Sequence, residues 1–138
     1  MLLLILLLSM NLHKQGKVWG TTQPLFNKNN VEIHRIETNK GGYCSKHKHQ
    51  YKYNCFYVEK GKLKITAWKN DYDLVDVTIL STGEATTVPP GEHHVFEALE
   101  DSVCYEIYWV EISESDIIRE DHGGTSQSSQ LPERIYPL

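Results

Sequence analysis

The sequence lacks three features, and each absence excludes a class of protein. It has no basic excess: 14 lysines and arginines stand against 18 aspartates and glutamates, so the formal net charge is −4 and no nucleic-acid partner is expected. It has no apolar run of the roughly 20 residues that a membrane-spanning helix needs. It also has no CxxC pair, and its three cysteines are an odd number, so we expect free thiols and a reducing, cytoplasmic location.

The chain starts with an apolar run, MLLLILLLS at residues 1–9. A secretory signal is not favoured, because no lysine or arginine precedes Lys14 and there is no Ala-x-Ala pattern. We interpret residues 1–15 as an apolar segment that packs on the domain or on a partner, or that precedes a true start at Met10. A degenerate signal is the third alternative.

Short runs of apolar and β-branched residues follow one another about every 10 residues, separated by turn residues. No segment shows helical periodicity over the length of a helix. The pattern predicts a single domain, built as an antiparallel β-sandwich or barrel. The predicted strands are Val31–Glu37, Cys55–Val58, Leu63–Trp68, Leu74–Leu80 and Val103–Ile112.

Alternation of apolar and polar residues predicts which face of a strand is buried. The run Val103–Ile112 differs, because both of its faces carry apolar residues. A face that the core does not need would find another sheet, so we expect a homodimer. In the two alternating runs, the expected buried sets are Leu63, Ile65 and Ala67, and Val75, Val77 and Ile79.

Three histidines are arranged as metal ligands would be. His47 and His49 are separated by one residue, so in an extended chain both imidazoles point to the same side. Further on, the turn residues of 89–91, PPG, come just before His94. A third imidazole can therefore reach the same site.

These two stretches together resemble the two sequence motifs of the cupin superfamily. The resemblance implies an all-β fold, a cupin jelly-roll barrel with little helix, at residues 16–122, followed by a flexible tail at 123–138. It departs from the family pattern at Asn54, where a glutamate is usual, and at Ala98, where an asparagine is usual. The matching positions are Gly41, His47, His49, Gly61, Gly83, Pro89, Gly91 and His94.

Three further segments resemble type II phosphomannose isomerases. They are KVWG at 17–20, KGGYCSKHKH at 40–49 and SDIIREDHGG at 115–124. The resemblance implies metal-assisted isomerisation of a sugar phosphate, a small-molecule substrate. Arg119 matches the arginine of the family's C-terminal ending, whereas the final arginine of that ending is replaced by Gly124.

Carried over by position, the family's metal ligands are His47, His49 and His94, and Asn54 takes the place of the carboxylate. A divalent ion on three neutral imidazoles keeps its full charge, and Asn54 still offers a carbonyl oxygen. Imidazole-rich sites suit Zn, Fe, Ni or Cu, with Mn also possible. A site that has lost its metal is the alternative.

Isomerisation also needs a base, and the motif glutamate is missing. The candidates are His93, Glu97 and Glu106, although the first two share a parity opposite to that of His94. Phosphate binding needs cations at the mouth of the barrel. Candidates for that role are Lys40, Lys46, Lys52 and Arg119, but Lys46, Lys48 and Lys52 have the parity of a solvated strand face.

Two other functions remain open. Some cupins activate O₂ on an iron held by three histidines, which makes a small-molecule dioxygenase the second hypothesis. A carbohydrate-binding or regulatory cupin without catalysis is the third. The absence of the motif glutamate and of the final arginine favours these two functions. The segments SDIIRED and KVWG favour the isomerase. We expect an enzyme of the isomerase type.

Overall fold

This computed structural model describes residues 13–69, 74–111 and 116–126 of the chain. These residues contain nine β-strands and no helix. The apolar run 1–9, Ile112 and most of the expected flexible tail lie outside the described residues. The strands are β1 (Gln15–Lys17), β2 (Gly20–Lys28), β3 (Val31–Thr38), β4 (Tyr53–Lys60), β5 (Lys62–Lys69), β6 (Leu74–Ser81), β7 (Ala85–Val88), β8 (His93–Ala98) and β9 (Ser102–Trp109).

The strands form two antiparallel sheets that pack face to face as a β-sandwich. The larger sheet has the order β1-β2-β3-β9-β4-β7, and the smaller one the order β6-β5-β8. This confirms the predicted all-β architecture, and it agrees with a cupin jelly roll. Within the described residues there is no helix long and apolar enough to cross a membrane.

The core lies between the sheets and comes from the alternate residues of each strand that point inward. In β5 the predicted set is confirmed, since Leu63, Ile65 and Ala67 are 1%, 2% and 4% exposed. From the larger sheet, Phe56 and Val58 of β4 join the same cluster. Full burial of such side chains contributes about 1.5–3 kcal/mol each.

The prediction for β6 was wrong. Val75, Val77 and Ile79 are 46%, 54% and 46% exposed, and they point outward. Directly paired residues on neighbouring strands share a face, and Leu80 pairs with the buried Leu63 of β5. Leu80, Thr78 and Asp76 therefore lie on the inward face of β6, opposite Leu63, Ile65 and Ala67 of β5. Alternation of apolar and polar residues alone predicted the wrong face.

The run EKGK at residues 59–62 predicts a hairpin with Gly61 at positive φ. The glycine is confirmed, but the hairpin is wrong, because β4 and β5 lie in different sheets and do not pair with each other. Gly61 has φ +98°, and a Cβ there would lie 2.2 Å from Ser102 Oγ and 2.6 Å from the Asp101 carbonyl oxygen. Only glycine fits this close approach. The cysteines also agree with expectation, since all three are free, with Cys44 and Cys104 buried and Cys55 half-buried.

Candidate metal centre

The three histidines arrive from two segments that lie side by side. His94 is on β8, whereas His47 and His49 are on an extended stretch without regular strand structure beside it. Two backbone hydrogen bonds join the segments: His94 N–H donates to the His47 carbonyl at 2.8 Å, and His47 N–H donates to the His94 carbonyl at 3.3 Å. The turn after Pro90 closes the site further, because Gly91 N–H donates to the His49 carbonyl at 2.8 Å.

The imidazole rings converge. One ring nitrogen from each of His47, His49 and His94 lies within 4.8 Å of the others. The ring centroids are 4.6 Å apart for His47 and His94, 5.0 Å for His47 and His49, and 5.4 Å for His49 and His94. His94 is 1% exposed, and the other two are half-buried.

Backbone carbonyls set the tautomers of two rings. His47 Nδ1 is 2.7 Å from the Ser45 carbonyl oxygen, and His94 Nδ1 is 3.0 Å from that of Glu92. A carbonyl only accepts, so each Nδ1 carries the proton and each Nε2 keeps its lone pair. Orientation of this kind is typical of metal-ligating histidines.

The environment favours the neutral form of His49 and His94. Burial, reinforced by the charges of His47, His94 and Lys52, lowers the pKa of His49 to about 4. Burial also lowers the pKa of His94. Neutral imidazoles are the form that binds a metal ion.

The residues present fit a divalent cation. His49 Nε2 and Asn54 Oδ1 are buried polar atoms without a hydrogen-bond partner, and such atoms are costly unless something else occupies the site. Three imidazoles form a donor set suited to Zn, Fe, Ni or Mn, whereas Asn54 as placed turns its Nδ2, and not its Oδ1, towards His94. The cluster of His47, His49 and His94 can therefore hold a divalent metal ion whose identity is unknown.

Asn54 connects the histidines to a carboxyl group on the opposite strand. It is fully buried on β4, and its Nδ2 lies 3.3 Å from His94 Nε2 and 3.3 Å from Glu106 Oε2. The amide therefore donates to both groups as placed. The first sequence motif has Asn54 in place of its usual glutamate, and Glu106 of β9 provides a carboxyl group nearby.

Glu106 has a strongly perturbed acidity. Burial raises its pKa to about 7, against the opposing effects of the hydrogen bond from Asn54 and the charge of Lys17. The Tyr108 hydroxyl also donates a hydrogen bond to this carboxyl. A carboxyl group with a pKa near neutrality can both take up and release a proton at physiological pH.

A cavity of about 950 Å³ opens above the histidines. Its wall includes His47 and His49 together with Glu106 and Tyr108, and Trp19 closes one side by packing edge-on against Phe96. Three lysines are also part of the lining: Lys17, Lys40 and Lys52. The cavity thus combines a candidate metal site, a protonatable carboxyl and positive charge.

Sequence reasoning missed part of this wall. The sequence patterns assign Tyr108 no role at the site, although it has the same parity as Glu106 and so shares its face. His34 was not considered, yet it pairs directly with Glu106 across β3 and β9. It also contacts Glu32, Nε2 to Oε2, at 3.3 Å. Strand parity from Glu106 would have identified Tyr108.

Lys52 was expected on a solvated face with its neighbours, and that expectation was wrong. It lines the cavity, with Nζ 3.3 Å from Glu32 Oε1 and 5.3 Å from the centre of the Tyr108 ring. The chain bends at residues 50 and 51, so alternation counted from His49 no longer applies. Lys46 and Lys48 are exposed as expected, and Lys46 lies over the Trp68 ring.

The other candidate residues lie away from the cavity wall. His93 is on the outward face of β8, opposite Trp68. Glu97 shares that face and forms an ion pair with Lys64 at 3.1 Å. Arg119 is exposed in the segment 116–126 and is not part of the cavity lining. Catalytic roles for His93 and Arg119 remain predictions.

The chain belongs to the cupin family, because residues 34–111 match the model of the cupin domain. No curated protein matches. Among solved structures, KdgF from Halomonas sp. is similar, with 17% identity, a TM-score of 0.62, and 74% of this chain and 89% of that chain covered.

Two other cupin structures show the same fold. An RmlC-like cupin from Shewanella frigidimarina has 16% identity and a TM-score of 0.61, with 79% of this chain and 91% of that chain covered. A variant of oxalate decarboxylase from Bacillus subtilis has 16% identity and a TM-score of 0.65, with 76% of this chain but only 29% of that chain covered. The narrower resemblance to type II phosphomannose isomerases is tested by none of these similarities and stays a prediction.

Proposed function

We propose that this chain is a metal-dependent cupin enzyme that interconverts an aldose phosphate and the corresponding ketose phosphate. The observation that carries the proposal is Glu106, a carboxyl group in the wall of the histidine-lined cavity whose pKa burial raises to about 7. Isomerisation needs one group that can take a proton from a carbon and return it to the next carbon.

In this proposal Glu106 acts as that base. Its carboxylate takes the proton from the carbon next to the carbonyl carbon of the aldose. The same carboxyl group then returns a proton to the former carbonyl carbon, while a hydroxyl proton moves between the two oxygens. No proton or electron is gained or lost overall. Asn54 and Tyr108, which both donate hydrogen bonds to Glu106, would hold it in position.

The three histidines would hold the cation that the reaction uses. A divalent ion bound there supplies positive charge that polarises a carbonyl or hydroxyl oxygen of the substrate. His47 and His94 keep their Nε2 lone pairs because their Nδ1 protons point to backbone carbonyls, and as placed the lone pair of His94 accepts from Asn54 Nδ2. The neutral imidazoles leave the full charge of the ion available.

Phosphate recognition is assigned to the lysines of the cavity wall. Lys17, Lys40 and Lys52 provide positive charge at the mouth, and lysine binds phosphate as a point charge. The resemblance of KVWG and SDIIRED to type II phosphomannose isomerases supports the same substrate class. We include a homodimer in a reducing, cytoplasmic environment in this proposal, and we keep Arg119 as a further candidate residue although it lies outside the cavity lining.

The first test is elemental analysis of protein purified without added metal or chelator, beside the variant Asn54→Glu. Near-stoichiometric metal in the wild type would establish a centre of three histidines. An empty wild type, with metal only in Asn54→Glu, would contradict the catalytic proposal and favour a non-catalytic carbohydrate-binding cupin.

The second test measures conversion of mannose 6-phosphate to fructose 6-phosphate. Glu106→Gln should reduce kcat at least about 100-fold, the lower range for losing a general base, while retaining metal. Glu97→Gln, an equal change on the outward face of β8, is the control and should leave kcat unchanged. Equal activity in the wild type and in Glu106→Gln would refute the assigned base.

An iron dioxygenase is the second candidate, favoured by one observation. The cluster that converges on one point consists of three histidines without a carboxylate, a donor set to which iron binds through imidazole. Iron-dependent O₂ consumption, in the absence of isomerisation, would select this alternative. Stabilisation by a sugar without turnover or O₂ uptake would select the binding protein.

A further inference from the structure

The lysines of the cavity wall lie at its two ends. Strand β3 runs along this wall, with Glu32 near its start and Lys40 two residues beyond its last residue, Thr38. Glu32 and Thr38 are six residues apart in the strand, which is about 20 Å at about 3.3 Å per residue. Lys52 is held at the Glu32 end, because its Nζ lies 3.3 Å from Glu32 Oε1. A single phosphate group is far smaller than this separation, so it binds at one end only.

Lys17 lies at the same end as Lys40. Gly20 of β2 pairs with Lys17 on one side and with Thr38 on the other. The backbones of Lys17 and Thr38 are therefore two strand spacings apart, which is about 10 Å. Both lysines line the cavity and are exposed at its mouth, so both ammonium groups can reach a ligand that enters there.

The charge of Lys52 is balanced by a carboxylate. Glu32 accepts a hydrogen bond from Lys52 at Oε1, and its Oε2 lies 3.3 Å from His34 Nε2. Burial raises the pKa of Glu32, but the hydrogen bonds from His34 and Lys52 outweigh it and lower the pKa. The carboxylate is therefore ionised at neutral pH. A phosphate at this end would have to displace it or lie beside its negative charge.

The charges of Lys17 and Lys40 are not balanced in this way. Neither ammonium group forms an ion pair with a carboxylate of the described residues. Asp101 contacts this end through the backbone, since its Oδ1 accepts from Lys40 N–H at 2.7 Å. Burial raises the pKa of Glu106, and the charge of Lys17 opposes that increase, so Lys17 acts on the interior of the cavity. Two ammonium groups beside one carboxylate leave this end positive.

We propose that Lys17 and Lys40 form the phosphate subsite of the cavity and that Lys52 takes no part in it. Glu32, fixed by Lys52 on one side and His34 on the other, is then an acceptor for hydroxyl groups of the sugar. A carboxylate has about four lone-pair sites, so two hydrogen bonds leave room for a hydroxyl donor. The inference rests on the sugar-phosphate substrate of the proposed function, and it narrows the phosphate site from three lysines to two.

The reacting groups lie between the two subsites. Glu106 pairs with His34, which is two residues from Glu32 and four from Thr38. About 7 Å and about 13 Å of strand therefore separate this base from the two ends. The substrate lies along β3 with its reacting carbons at Glu106 and its phosphate at the pair of lysines. The hydroxyl group next to the reacting carbons then points to Glu32.

Acetylation of lysines, read by mass spectrometry, tests the assignment without a sugar. The full chain is treated with sulfosuccinimidyl acetate, with and without inorganic phosphate, and the rate at each lysine is compared. At about ten times its Kd, phosphate should slow acetylation of Lys17 and Lys40 about 10-fold, because the free fraction falls to about one tenth. Lys52 should keep its rate, as should the control Lys46, which is exposed outside the cavity. Protection of Lys52, or no protection of Lys17 and Lys40, would overturn the proposal.

A second measurement separates recognition of the phosphate from recognition of the hydroxyl groups. The ratio of the Kd for mannose to the Kd for mannose 6-phosphate, from isothermal titration calorimetry, reports the phosphate alone. Lys17→Met and Lys40→Met should each lower this ratio about 10-fold, the effect of losing one hydrogen bond to a charged group. Lys52→Met and Glu32→Gln should weaken binding of both sugars equally and leave the ratio unchanged. A ratio that falls in Lys52→Met and not in Lys17→Met would contradict the assignment.

Failure of this inference and failure of the proposed reaction are distinguishable. If isomerisation is not found but phosphate protects Lys17 and Lys40, the reaction is wrong and the phosphate subsite stands. If isomerisation is found but phosphate protects Lys52 instead, the subsite is wrong and the reaction stands.

Discussion

Replacement of Glu106 by glutamine should change how the stability of the metal-free protein depends on pH. Burial raises the pKa of this carboxyl from 4.5 to about 7. Between those values the unfolded chain has released the proton and the native protein still holds it. The stabilisation from the neutral carboxyl is therefore complete below about pH 4.5 and is lost as pH rises through about 7.

The size of the effect follows from the two pKa values. They differ by about 2.5, and each pH unit is equivalent to about 1.4 kcal/mol, so the wild type loses about 3 kcal/mol across the interval. Glutamine cannot ionise, so the variant should not show this loss. Glu106→Gln should become more stable than the wild type as the pH is raised towards 8.

The histidines act in the opposite direction and must be separated from this effect. Burial lowers the pKa of His49 to about 4, so its contribution is present above about pH 6.5 and is lost as pH falls through about 4. His94 has the same direction. Both contributions are present in the wild type and in the variant, and they cancel in the difference between the two free energies of unfolding.

Urea unfolding from about pH 5 to pH 8, with a chelator present, measures that difference. The expected result is a free-energy difference that grows by about 2.5 kcal/mol from pH 5 to pH 8, because part of the loss occurs below pH 5. Glu97→Gln, which removes a carboxylate from a surface ion pair with Lys64, should give a nearly constant difference from the wild type. Parallel curves for the wild type and Glu106→Gln would refute the reasoning about the buried carboxyl.

Two further predictions concern the metal site and the β4–β5 turn. The double variant His47→Ala and His94→Ala should lose its metal in elemental analysis and remain a folded β-protein by circular dichroism. The control His93→Ala should keep its metal. Unfolding of the double variant would count against the site. Gly61→Ala should lose more stability in urea than Gly83→Ala, because both have positive φ but only Gly61 has backbone and side-chain atoms within 3 Å of the added Cβ. Each left-handed alanine alone costs about 1–2 kcal/mol, so an equal loss in the two variants would show that the close contact relaxes freely.

Much of the fold and of the candidate metal site could be predicted from local patterns. The spacing of His47 and His49, and the turn residues before His94, bring three imidazoles together because extended segments alternate and a tight turn reverses the chain. The β-rich runs predicted the sandwich, and β5 showed the expected buried face. Gly61 was identified as the residue with positive φ, and its φ is +98°.

The incorrect predictions concern residues whose placement depends on distant parts of the chain. The alternation in β6 was correct, yet pairing of Leu80 with Leu63 turned Val75, Val77 and Ile79 outward. Alternation of apolar and polar residues shows that the two faces of a strand differ, but it does not show which face is buried. The pairing with β5 decided that.

The site shows the same division. From the sequence alone, this chain is a β-sandwich with three histidines able to meet at one point, because strand alternation and turns act over a few residues. Only the tertiary structure brought Glu106 of β9 beside Asn54 of β4, and Lys52 into the cavity wall. Burial, and with it the raised pKa of Glu106, depends on what other strands place around a side chain, and no local pattern carries that information.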